Sequence, residues 1–467
     1  MTEILRKSIH DIAPKVRSLD ISPVELVSST LREIARVNTK LLAYIDLFSE
    51  NALKQANDAA REIESGKWRG PLHGIPIGLK DLINVSGYKT TGGSRLLRHN
   101  FSSTNATVSD RLRNAGAILI GKHNMVELAF GSTGLNNFTG HPRNPWDVER
   151  ITGGSSSGSG AAIASFLAYG ALGSDTGGSV RMPASLCGIA GLKPTYGLIP
   201  RTGILDLSHS MDHLGPMARR SIDCGYILNA VKGHDRKDKT SIRKSIVDFT
   251  SKITDGLHGI KVGLPNNFFF DDFVDYEIKT SVIKAVDLLA SNGAEIIEVD
   301  LPWAEEGRKV NLTIMLAEAA AVHKKTLSQK SHLLSPEISK RIISGFQISP
   351  EDYAIAQEKK TFLSNKMGNI FKSVNVLITP TVPIKTPKIT DCLKSPENNY
   401  AGDLPLFTGI FNVTGQPSLS VNCGFSNEGM PIGMMINGNY LNEETIIRVG
   451  HAYEELSGWH KLFPKIQ

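Results

Sequence analysis

Three stretches of this chain carry residue types that together can break an amide bond. Lys80 ends an apolar run, Ile75-Pro76-Ile77-Gly78-Leu79; Ser155 lies in a loop of glycine and serine, 153–159; Ser179 follows Gly177-Gly178 in the run from Asp175 to Arg181. An amide carbonyl is a poor electrophile, and a serine hydroxyl is inert until a base removes its proton. A lysine amine is that base only when neutral, and burial beside an apolar strand disfavours its ammonium form. A second serine can carry the proton between lysine and nucleophile where the two do not touch. Gly177 and Gly178 have no side chains, so backbone N–H groups there can converge into a cradle for a tetrahedral oxyanion. Asp175 and Arg181 flank that turn and are read as a structural ion pair, not as proton carriers.

Four other patterns carry less. Gly116 to Lys122 (GAILIGK) copies a phosphate-binding loop up to Lys122, then places His123 where Ser or Thr must reach magnesium. Its interior, Ala-Ile-Leu-Ile, favours a strand. Gly154 to Gly158 matches a nucleophile elbow around Ser156, but polar residues precede it where a strand is required. Ser241 to Lys244 matches S-x-x-K inside the basic run 232–244, which reads as a hydrated surface. His209 and His213 are spaced to share a helix face, but no third metal ligand is visible, so no metal is expected.

The elements that must position these residues alternate between strand and helix. Ser22, Pro23 and Glu25 read as an N-cap, an N1 proline and a capping box ahead of a helix with Val24, Val27, Leu31 and Ile34 on one face. Further helices are expected over 49–65, 110–115, 278–291 and 446–456. Strands are expected over 75–80, 116–120, 261–264, 295–299 and 374–378, and a loop over 390–402. The stretch 153–203 is rich in Gly, Ser and Ala; its one expected helix, 160–169, is built of small residues that allow close packing. This is the texture of an α/β fold, and with no linker in sight one domain over 1–467 is expected.

Bulk properties narrow the classes. The 52 basic and 46 acidic residues leave a scattered charge of +6, which argues little for a nucleic-acid partner. Cys187, Cys224, Cys392 and Cys423 sit at no metal-ligand spacing and suit reduced thiols. No stretch approaches 18 consecutive apolar residues, so no membrane span is expected. The N-terminal residues lack an apolar signal core, and the expected location is the cytoplasm.

The block GGSSSGSGAAIASFLAYGALGSDTGGSVRMPASLCGIAGLKPTYGLIPR (153–201) resembles the signature of the amidase signature family. So do HGIPIGLKD (73–81), GKHNMVELAFGS (121–132), RNPWD (143–147) and HLGPMARR (213–220), with weaker similarity over the rest of the chain. The resemblance places the signature core at about 73–220. It implies one large α/β domain with a mixed sheet covered by helices on both faces, and a reaction without metal or organic cofactor. It assigns Lys80 as base, Ser155 as a bridging serine in a cis peptide linkage, and Ser179 as nucleophile. Oxyanion donors fall on the backbone of Thr176, Gly177, Gly178 and Ser179, and acyl-pocket contacts on Ala129, Phe130 and Gly131. The implied substrates are small amides, esters or carbamates, acted on by a monomer or homodimer. The alternative within the family is the glutaminase A subunit of a tRNA-dependent amidotransferase. Those subunits carry an arginine for the glutamine carboxylate where this chain has Lys360. An uncharged, apolar pocket preferring hydrophobic groups over glutamine is therefore expected, with its remaining lining drawn from 310–350 and 400–415.

Overall fold

The computed structural model describes residues 3–244, 247–394 and 399–466. Eleven strands form one sheet: β1 (Tyr44–Leu47), β2 (Pro76–Lys80), β3 (Ile118–His123), β4 (Gly170–Asp175), β5 (Ala190–Lys193), β6 (His213–Ala218), β7 (Lys261–Pro265), β8 (Glu295–Val299), β9 (Val376–Pro380), β10 (Ser418–Phe425) and β11 (Pro431–Gly438). Their order is β1-β3-β2-β4-β6-β5-β10-β11-β9-β7-β8. The sheet is mixed. Strand β2 runs parallel to both β3 and β4, while β6 and the β10–β11 hairpin run antiparallel to their neighbours. Lys80 thus ends a central strand and Asp175 ends the strand beside it.

Alternation along β4 puts helices on both faces. A side chain at Gly173 would meet Ser156, ahead of the helix Ser157–Ala164, whereas one at Gly170 would meet Ile227 of the helix Ser221–Val231. Ala171 accordingly packs with Ile163 and Ala164, and Leu172 with the cluster that holds Ile227 and Leu228. The helix Ser157–Ala164 is wholly buried. A Cβ at Gly158 would come within 2.3 Å of the Ala43 carbonyl, so its small residues do let it approach neighbouring backbone.

The expected elements are present with shifted ends. The helix expected over 160–169 starts earlier and stops at Ala164, because Phe166 takes φ 64° and the chain turns into β4. At the helix Pro23–Leu41 the Ser22 hydroxyl accepts from the Val24 N–H instead of closing a box with Glu25. The loop expected over 390–402 holds two short helices, Ile389–Lys394 and Tyr400–Asp403, with residues 395–398 outside the described part. The strand expected over 116–120 is β3, which starts at Ile118, so most of the phosphate-loop pattern is a strand; Lys122 is buried there, 3.7 Å from Asp81. Ser241 is buried, contrary to its surface reading, and its hydroxyl ties together the turn at Asp235 and Asp238. His213 opens β6 while His209 is exposed in the preceding loop, so the two share no helix.

Candidate active site

The ends of β2 and β4 bring the three sequence segments together. Lys80 Nζ donates to Ser155 Oγ at 2.7 Å and to Ser174 Oγ at 2.9 Å, and all three residues are buried. The peptide bond Gly154–Ser155 is cis. The Ser156 N–H donates to the Ser179 carbonyl at 3.2 Å, which couples the glycine–serine loop to the turn carrying Ser179. Burial lowers the Lys80 pKa from 10.5 to about 7, although the charges of Asp175 and Asp212 pull it up. A substantial fraction of Lys80 is therefore a neutral amine near neutral pH.

Asp175 organises the turn. Its carboxylate accepts from the N–H groups of Gly178 (2.8 Å) and Val180 (3.1 Å), and from Arg181 Nε (3.0 Å) and Nη2 (2.9 Å). Asn412 completes the cluster: its Nδ2 donates to Asp175 Oδ1 at 2.9 Å and its Oδ1 accepts from Arg181 Nη2 at 2.6 Å. Burial alone would raise the Asp175 pKa. The Arg181 charge and these hydrogen bonds outweigh it and hold the carboxyl below the ordinary carboxylate range. Asp175 and Arg181 are thus a fully buried ion pair with hydrogen-bonded edges.

A cavity of about 270 Å³ opens on this turn. Ala129, Phe130, Gly131, Thr176, Gly177 and Ser179 line it. Gly178 differs from its neighbours: its N–H already donates to Asp175, so the N–H groups of Thr176, Gly177 and Ser179 are left as candidates for receiving an anion. Further lining comes from the helix Glu306–Lys330 (Arg308, Leu312, Met315, Leu316), from Arg341 and Ser344, and from Asn399, Ala401, Gly402 and Pro405. The segments 310–350 and 400–415 do supply lining. The cavity is not uncharged, however, because Arg308 and Arg341 both face it. Lys360 is not among the lining residues; its Nζ donates to the Ser210 carbonyl at 2.9 Å.

Several site residues escaped the sequence reading. Ser174 was legible in principle, as a hydroxyl one residue before Asp175 at a strand end. Arg308, Asn311, Leu312 and Met315 recur at helical spacing, which marks one helix face but not what that face covers. Asn412 lies 231 residues beyond Arg181, and no local pattern announces it.

The amidase family model matches residues 25–447. The A subunit of a glutamyl-tRNA(Gln) amidotransferase from Geobacter sp. (strain M21) is 36% identical over 482 aligned positions, covering 98% of this chain and 99% of the relative. Among solved structures, a chain from a vestigial protein complex linked to the origins of an s-triazine catabolic enzyme superposes with a TM-score of 0.91. It is 30% identical, with 99% of this chain and 100% of that one covered. A 6-aminohexanoate cyclic dimer hydrolase bound to its substrate gives a TM-score of 0.88 at 28% identity, with 99% of each chain covered. The chain belongs to the amidase family, whose chemistry is the hydrolysis of carbon–nitrogen bonds.

Proposed function

We propose that this chain hydrolyses small carboxamides through an acyl-enzyme on Ser179. The carrying observation is the Lys80–Ser155 hydrogen bond of 2.7 Å, buried behind a cavity that Ser179 lines. In this reading Ser179 Oγ attacks the carbonyl carbon. Its proton passes to Ser155, which gives its own proton to neutral Lys80. The carbonyl oxygen becomes an oxyanion received by N–H groups of Thr176, Gly177 and Ser179. The proton then returns through Ser155 to the leaving nitrogen, the C–N bond breaks, and an ester on Ser179 remains. Water attacks that ester by the same relay and frees the acid. Ala129, Phe130 and Gly131 contact the acyl group, while Asp175 and Arg181 hold the turn without exchanging protons. Esters and carbamates fit the same sequence of steps. The reading includes a cytoplasmic monomer or homodimer that works without a nucleic-acid or membrane partner. Among the described residues, no helix is long and apolar enough to cross a membrane.

Ser179→Ala should reduce turnover of any accepted amide to below roughly a hundredth of wild type, with an unchanged thermal melt. Residual activity above that level, in a folded variant, refutes Ser179 as nucleophile. The likeness to the A subunit of an amidotransferase supports a second reading, release of ammonia from glutamine within a complex. Against it, Lys360 is engaged with Ser210 and stands off the cavity. If only glutamine is cleaved, and only when a partner protein is added, the second reading replaces the first.

A further inference from the structure

We propose that the amide substrate carries a carboxylate, held in the cavity by Arg308 and Arg341. This rests on the reading of the Ser179 cavity as the reaction site and names its substrate class.

The two guanidinium groups are short of acceptors. Each arginine carries five N–H donors in a planar fork. Arg308 makes a single long contact, from Nη1 to Asn311 Oδ1 at 3.5 Å. Arg341 Nη1 donates to the Phe130 carbonyl at 2.8 Å, and its guanidinium carbon lies 5.9 Å from the Phe130 ring centre. Among the described residues, no carboxylate lies within 4 Å of either guanidinium. By contrast Arg181, Arg220 and Arg150 each have one. Both arginines are only partly exposed, and both line the same cavity as Ser179. Burial lowers the Arg308 pKa to about 10, and the like charge of Arg341 adds to the effect. Two guanidinium charges that repel each other in a partly desolvated wall are stabilised by an anion between them.

The remaining surroundings select the kind of anion. At about 270 Å³ the cavity lies just below the usual span of ligand clefts, roughly 300 to 1,000 Å³, and suits a small substrate. A planar carboxylate matches the guanidinium fork with two parallel hydrogen bonds. Leu312, Met315 and Leu316 stand on the same wall as Arg308 and suit a short methylene chain between carboxylate and amide. The positive pair also disfavours an ammonium on the substrate. Glutamine carries both charges, whereas glutaramate, the same skeleton without the amine, carries only the anion.

The test uses the full-length chain and a series of ω-amides: succinamate, glutaramate and adipamate, each beside the neutral unbranched amide of the same chain length (butyramide, valeramide, hexanamide) and beside glutamine. For at least one chain length, kcat/KM for the acid should exceed that for the neutral partner by roughly 100-fold, a factor that one charge-assisted pair can supply. Glutaramate should exceed glutamine. In Arg308→Met and Arg341→Met the acid-to-neutral ratio should collapse toward one, chiefly through KM, with Arg308→Lys intermediate. Because the ratio is internal, partial unfolding of a variant does not alter it. Glutarate, which has no amide to cleave, should bind wild type and Ser179→Ala alike, and at least tenfold more weakly to Arg308→Met. The proposal is overturned if the acids show no advantage, if the ratio survives both arginine substitutions, or if glutarate binding is absent or indifferent to Arg308. Failure of the underlying reading looks different: amide turnover then persists in Ser179→Ala whatever the arginines do.

Discussion

At the residue scale the decisive quantity is the proton on Lys80. Burial brings its pKa from 10.5 to about 7, so the neutral base is the minor form below pH 7 and the major form above it. Below about pH 7 kcat/KM should rise close to tenfold per pH unit, and it should level off above, since kcat/KM reports groups of the free enzyme. Lys80→Ala should remove that acid limb along with most of the activity. A profile that is flat from pH 5 to 9, or that rises only near pH 10, excludes Lys80 as the titrating base. Lys80 was legible in the sequence because an apolar strand that ends in a lysine has one physical reading, a buried amine. Arg308 and Arg341 were not, since a cation on a helix looks the same whether it faces solvent or a cavity. The expectation of an uncharged pocket rested on Lys360 and on Ala129, Phe130 and Gly131, and the two arginines in the lining reverse it.

At the element scale the turn between β4 and the helix Arg181–Cys187 does the positioning. Gly178 adopts φ 127°, a conformation that L side chains rarely adopt, and a Cβ there would lie 2.2 Å from Thr408 Oγ1. The Thr408 hydroxyl itself donates to the Gly177 carbonyl at 2.5 Å. Gly178→Ala should therefore cost about 1–3 kcal/mol of stability from backbone strain, before the clash is counted. It should also lower kcat by roughly a hundredfold, because Gly177 and Ser179 move with it. Urea denaturation and steady-state kinetics check both, and a variant with wild-type kcat would show that the turn tolerates displacement. The glycines were legible as a backbone device. Which N–H groups remain open was not, because the engagement of Gly178 by Asp175 is a matter of hydrogen-bond geometry and not of residue type. Element ends shifted for a similar reason. The apolar run after Ala164 looks helical by composition, but the return of the chain to β4 takes precedence.

At the scale of the whole molecule, the site belongs to both ends of the chain. The sheet order places β10 directly beside β5, so the C-terminal hairpin completes the surroundings of the signature segment. The short helix Gly409–Thr414 carries Asn412 into the Asp175–Arg181 pair, where it donates to one partner and accepts from the other. One domain was legible in the sequence from the absence of a linker; this long-range tie was not, because an asparagine between Phe411 and Val413 has no distinguishing pattern. The tie makes a test of the frame that leaves every proposed reacting group in place. Asn412→Ala leaves Arg181 Nη2 and one Asp175 oxygen each short of a partner in a site with no solvent exposure. Unsatisfied buried groups of this kind cost on the order of 1–3 kcal/mol, and more when they are charged. The variant should thus lose at least about 2 kcal/mol in chemical denaturation, with a well-defined single transition. Its kcat should fall more than its KM changes, since Arg308, Arg341 and the acyl segment are untouched while the Ser179 turn is loosened. Asn412→Asp should be worse still, since it sets a second carboxylate against Asp175 and removes the Nδ2 donor. If Asn412→Ala retains both wild-type stability and wild-type kcat, the C-terminal helix is only a cover. The turn is then held by Asp175 and Arg181 alone.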